Sequence, residues 1–125
     1  MSEWVLLLGG STGHGAATAK RLAKDGYGVI AFHFDRGEAK KIAEETINEV
    51  NEISGGRCHY FNTNAASEDA MQSFIPKIKE ITAGSKLKLL LHSIAFGTTT
   101  NFFGDKPVTQ RQMDMTVHVM GNSLL

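Results

Sequence analysis

The chain has 125 residues, and its 13 Lys and Arg balance 13 Asp and Glu, so the formal net charge is zero. A neutral chain has no field to draw in nucleic acid or an anionic membrane. Its length suits one domain, spanning 1–125, that buries roughly two-thirds of its unfolded surface. The single cysteine, Cys58, has no partner for an internal disulfide and no metal-ligand spacing around it, which fits a reducing, cytoplasmic setting with no metal site.

Residues 4–8, WVLLL, read as a fully buried strand. The run is too short and lacks the basic flank of a signal peptide, and no run in the chain approaches the roughly 18 apolar residues of a membrane span. Residues 14–25 read as a helix with Ala16, Ala17, Ala19, Leu22 and Ala23 toward one face and Gly26 as its stop. Residues 28–34, GVIAFHF, form a second strand rich in β-branched and aromatic residues. In residues 38–53, Ala39, Ile42, Ala43, Thr46, Ile47, Val50 and Ile53 recur at helical spacing until Gly55 and Gly56.

Residues 57–62 suggest a third strand. Ser67 is a good N-cap for a helix over 68–82, within which Pro76 predicts a kink or a split. Residues 87–96, LKLLLHSIAF, read as a fourth strand running into a loop. Thr109 and Gln112 make a capping box for a last helix over 110–124, with Met113, Val117, Met120 and Leu124 along one face. Strand and helix alternate four times, which predicts an α/β fold: a three-layer, Rossmann-like parallel sheet with helices on both faces. Right-handed crossovers favour strand order 3-2-1-4.

Between the first strand and first helix lie Gly9, Gly10, Gly13 and Gly15. Glycine permits a sharp turn and lets a phosphate approach the backbone without meeting a Cβ, while the helix behind it presents free N–H groups. A Walker A loop is excluded, because Ala16 and Ala17 follow Gly15 where Lys and Ser/Thr are required. The spacing Gly9-x3-Gly13-x-Gly15 in this context points to a nucleotide; a tight turn without a ligand is the plainer alternative. Ser11 and Thr12 suit phosphate contact or turn formation, and His14 is either a phosphate donor or a passenger.

This loop resembles the cofactor loop of the short-chain dehydrogenase/reductase family. Three further stretches agree in order and spacing. AFHFDR falls where the family's second strand meets the adenosine ribose. NAASEDAM resembles its third-strand motif, with Asn64 at the usual aspartate position and Ala65 beside it, where the family holds the adenine. LHSIAF resembles the fourth-strand motif of the enoyl-acyl-carrier-protein reductase branch through Ser93, Ile94 and Ala95, although Ala95 stands where a glycine is common. The resemblance spans the chain at the level of the family's N-terminal half. It implies a dinucleotide cofactor and, in a full-length enzyme only, an acyl-thioester substrate of fatty-acid synthesis, enoyl or 3-oxoacyl.

Asp35, twenty residues after Gly15, has the spacing of a ribose-binding carboxylate, whereas Arg36 suits a 2′-phosphate. The family's NAD-selective acid falls nearer His33, so the expectation is NADP, with NAD as the alternative. Asp35 is also a candidate N-cap for the second helix.

The family's catalytic pair is Tyr-x3-Lys, or Tyr-x6-Lys in the enoyl branch. Tyr27 is followed at those distances by Ala31 and Phe34, and Tyr60 by Asn64 and Ser67, so no catalytic residue is assigned and the chain by itself is expected to be inactive. His118 stands where many members carry an active-site asparagine; a solvated or packed helix histidine is the plainer view. Residues 97–107 correspond to a region that opens toward substrate, or form a surface loop with Phe102 and Phe103 packed back. Two other functions compete with a reductase fragment: a non-catalytic dinucleotide-binding module, and a self-associating module that pairs through its open sheet edge or through Met113, Val117 and Met120.

Overall fold

A computed structural model describes residues 3–94 and 101–124. The chain divides into two compact units, Met1–Ser93 and Ile94–Leu125.

The first unit alternates β1 (Trp4–Leu8), α1 (Gly13–Lys24), β2 (Gly28–His33), α2 (Glu38–Ile53), β3 (Cys58–Asn62), α3 (Glu68–Thr82) and β4 (Leu87–His92). The four strands form one parallel sheet in the order β3-β2-β1-β4. This is the Rossmann-like order expected from right-handed crossovers. Strand side chains alternate between faces, and the helices sort accordingly. Val5, Leu7, Val29 and Ala31 point to one face and form a cluster with Ala19 and Ala23 of α1 and Val50 of α2. On the other face Phe32 and Phe61 meet Phe74 of α3, with ring centroids 5.3 and 4.9 Å from Phe74. Both central strands are buried because each face has its own helical cover. Trp4 lies over Gly28, its partner across the β1–β2 ladder, where any Cβ would stand 2.5 Å from the indole.

The helix signals read from the sequence hold with small shifts. Ser67 caps α3 by accepting from the N–H of Ala70. Pro76 does not split α3, which is one helix from Glu68 to Thr82. Proline leaves the carbonyl four residues back without its intrahelical donor. Here Gln72 and Pro76 both lie on the exposed side, where solvent can satisfy that carbonyl. The last strand spans Leu87–His92, within the stretch 87–96 expected to hold a strand running into a loop; residues 95 and 96 lie outside the described residues.

In the second unit α4 spans Gln110–Met120 and a short 3₁₀ turn spans Asn122–Leu124, where a single helix over 110–124 was expected. The capping box is present: Thr109 accepts from Gln112 N–H at 3.2 Å, and the Gln112 side chain accepts from Thr109 N–H at 2.9 Å.

Candidate functional site

Parallel strands place all their carboxyl ends at one edge of the sheet. Leu8 lies beside Phe32 and His92 in the ladders, and His33 beside Asn62. The segments that follow the four strands therefore collect on this edge: the glycine loop after β1, Phe34 to Gly37 after β2, Thr63 to Ala66 after β3 and Ser93 after β4. Strand order reverses between β1 and β4, which makes this the edge where open α/β sheets form their ligand crevice.

The glycine loop is held from below. The N–H groups of Gly9 and Gly10 both donate to the carbonyl of Phe32, at 2.8 and 3.2 Å. The Tyr60 hydroxyl donates to the carbonyl of Gly10 at 2.8 Å. Gly9 and Gly13 have φ of 93° and 56°, in the region that favours glycine. At Gly15 the constraint is space: a Cβ there would stand 1.7 Å from the carbonyl oxygen of Gly9. The third glycine thus lets α1 start directly against the end of β1. Thr12 is the N-cap of α1 but its side chain makes no capping hydrogen bond. The first-turn N–H groups consequently face the loop rather than a side-chain cap. Thr12, Gly13 and His14 are exposed.

Ser11 is placed differently from an open phosphate donor. It is buried, and its hydroxyl donates to Asp35 Oδ2 at 2.6 Å. The same oxygen lies 2.8 Å from His33 Nδ1. Asn62 closes the cluster by accepting from the Asp35 N–H and donating to its carbonyl, each at 3.1 Å. Asp35 is therefore tied through both side chain and backbone. It is not the N-cap of α2, a position taken by Gly37 at φ 60°. Arg36 is exposed, with its guanidinium 4.7 Å above the Phe34 ring.

After β3, Asn64 Oδ1 accepts from the Ala66 N–H at 2.9 Å, which fixes a turn that buries Ala65. Ser93 N–H donates to the carbonyl of Leu8 at 2.7 Å, which carries the β4 chain past the end of the ladder. Ile94 opens the second unit, and Ala95 lies outside the described residues, as do residues 97–100 of the following loop. Phe102 and Phe103 are 70% and 88% exposed. His118 is exposed on α4.

Neither tyrosine stands in a catalytic arrangement by sequence, and Tyr60 has a structural task. Burial pushes its phenol above the ordinary range, with Cys58 adding to the effect. Burial likewise pushes the Cys58 thiol up to about 11. Among the described residues no group of His, Cys, Asp and Glu is arranged to hold a metal ion.

His33, Tyr60 and Asn62 are the site residues that sequence reasoning did not single out. A signal existed for the first: residues two apart in extended chain share a side, so His33 and Asp35 were placed to meet.

The fold and loop define a class: a Rossmann-like α/β protein with a glycine turn at the carboxyl end of its first strand. The chain belongs to the short chain dehydrogenase family, which it matches over residues 3–125. No curated protein matches it. Among solved structures it is similar to a short chain dehydrogenase from Bacillus anthracis, with 20% identity and a TM-score of 0.74 over 98% of this chain and 46% of that one. It is also similar to the L-sorbose reductase of Gluconobacter frateurii complexed with NADPH and L-sorbose, with 14% identity and a TM-score of 0.78 over 98% and 43%. A third similar structure is a tyrosine-to-phenylalanine variant of ElxO with NADPH bound, at 17% identity and a TM-score of 0.76 over 99% and 46%. The chain thus spans less than half the length of these proteins. At such identities the likeness establishes the fold. No helix among the described residues is long and apolar enough to cross a membrane.

Proposed function

We propose that this chain is the dinucleotide-binding portion of an NADP(H)-dependent reductase. The observation that carries the reading is the packing at Gly15. Only a residue without a Cβ fits against Gly9, and the result is a helix N-terminus aimed across an open glycine turn. The glycine-lined turn fits a pyrophosphate. Gly9, Thr12, Gly13, His14 and Gly15 would hold it, with Ser11 shaping the loop. Arg36 is exposed and free to swing from Phe34 to a 2′-phosphate. Asn64 and Ala65 would border the adenine, and Ser93 stands at the end of β4 on the same edge; for Ile94 and Ala95 a cofactor contact rests on the resemblance alone. The bound cofactor supplies a hydride; the residues of this chain bind and orient it.

The resemblance of LHSIAF to the enoyl-reductase branch supports an enoyl or 3-oxoacyl thioester as substrate of a full-length enzyme. The chain alone holds no Tyr–Lys pair, and Tyr60 is engaged with Gly10, so by itself it does not turn over.

Fluorescence titration tests the reading. The chain should bind NADPH saturably and more tightly than NADH, and Arg36→Ala should remove most of the difference. Equal affinity for the two cofactors in the unaltered chain would reject the role of Arg36. Oxidation of NADPH with crotonyl or acetoacetyl thioester at an enzyme-like rate would reject the inactivity of the chain.

A self-associating module is the second reading, favoured by β4. This strand is the edge of the sheet and leaves Leu87, Leu89 and Leu90 38–51% exposed. Such an edge invites pairing with another chain.

A further inference from the structure

Asp35 has the sequence position of a ribose-binding acid, but its surroundings give it other work. Oδ2 already accepts from Ser11 of the glycine loop and faces Nδ1 of His33 on β2, and Asn62 of β3 grips the Asp35 backbone on both its polar groups. Three chain segments meet at this one residue. The side chain is only 16% exposed. A hydroxyl has one proton, so Ser11 cannot donate to Asp35 and to a phosphate at once. The 2.6 Å bond to a carboxylate is of the strong, charge-assisted kind. Ser11 sits between Gly10, whose N–H and C=O are both held, and the N-cap Thr12. The Ser11–Asp35 bond therefore pins the glycine loop on the side not already fixed by Phe32 and Tyr60.

We propose that Asp35 is a positioning residue: with Ser11, His33 and Asn62 it forms a clasp that sets the glycine loop for a pyrophosphate, and it does not bind the ribose. The inference rests on the dinucleotide reading above. It has two consequences. Ser11 acts on phosphate binding through Asp35, and the ribose end of the site is recognised by Arg36 alone among these charged groups.

The test is a double-mutant cycle on the folded chain, read by calorimetry with ADP, NAD+ and NADP+. Ser11→Ala keeps the carboxylate and removes the bond. It should weaken ADP, NAD+ and NADP+ by the same factor, about tenfold, as expected for loss of a charge-assisted hydrogen bond. Asp35→Ala should weaken ADP similarly, and the double variant should bind ADP no worse than Asp35→Ala, within about twofold. Asp35→Asn retains an acceptor oxygen for Ser11 and should recover most of the ADP affinity. If Ser11→Ala leaves NAD+ binding intact while Asp35→Ala weakens NAD+ selectively, Asp35 is a ribose ligand and the clasp is rejected. Losses that multiply in the double variant would mean that Ser11 touches phosphate itself, which also rejects it.

Amide hydrogen exchange without ligand separates this inference from the binding reading. Ser11→Ala and Asp35→Ala should each speed exchange at residues 11–13, and unchanged exchange would overturn the clasp. Absence of binding by the unaltered chain would reject the dinucleotide reading, leaving the clasp to be judged on exchange alone.

Discussion

At Gly15 a single methyl group decides whether β1 and α1 can meet. Gly15→Ala must push backbone off backbone, since the nearest atom is the Gly9 carbonyl oxygen at 1.7 Å. The expected cost is about 3 kcal/mol or more, the upper end for overpacking, measured as a loss in urea unfolding free energy. Gly13→Ala meets no atom within 4 Å and should cost only about 1–2 kcal/mol for the left-handed backbone. Tyr60→Phe removes the hydroxyl that holds Gly10 and should cost about 1 kcal/mol. The raised thiol of Cys58 gives a pH signature. A group held neutral by the fold is easier to ionise once unfolded, so stability is full below pH 9.0 and falls as pH rises toward about 11. Tyr60 adds to the fall above pH 10.0. Cys58→Ala should flatten the first part of that decline in urea midpoints taken across pH 8 to 11. The glycines and Asp35 were legible as single positions. Their partners were not, because Tyr60 and Gly10 lie 50 residues apart and Ser11 and Asp35 lie 24 apart. Spacing along the chain carries no record of such meetings beyond the same-side rule that pairs His33 with Asp35.

At the scale of elements, periodicity and caps placed α1 to α4 and β1 to β4, because the apolar faces that drive packing repeat at 3.6 and 2 residues. The capping residues Ser67 and Thr109 marked their helix starts for the same local reason. The departures have local causes too. Pro76 reads as a kink or a split, but the helix continues through it, with Gln72 and Pro76 on the exposed side of α3, where the lost hydrogen bond costs least. Pro76→Ala restores it and should stabilise the chain by about 1–3 kcal/mol, seen as a higher urea midpoint with α3 still helical. An unchanged or lower midpoint would mean that the proline packs favourably. The stretch 87–96 reads as a strand running into a loop, and the ladder with β1 ends at His92 opposite Leu8, before the polar Ser93.

Across the whole molecule, four alternations of strand and helix were enough to predict the sheet order, since crossover handedness leaves few alternatives. The open sheet edge expected from the sequence is β4, where Leu90 is 51% exposed. If that edge pairs with a second copy, sedimentation velocity should show dimers or larger species growing with concentration, and Leu90→Lys should return the chain to monomer. A strictly monomeric chain at high concentration would remove the self-association reading. NADPH titration followed by backbone amide NMR tests most directly whether the loop between β1 and α1 holds the cofactor. The largest shift changes are expected at residues 9–15, with a second group at Arg36 and at Asn64 and Ala65. Shifts confined elsewhere, or none in a chain whose spectrum shows it folded, would contradict that site.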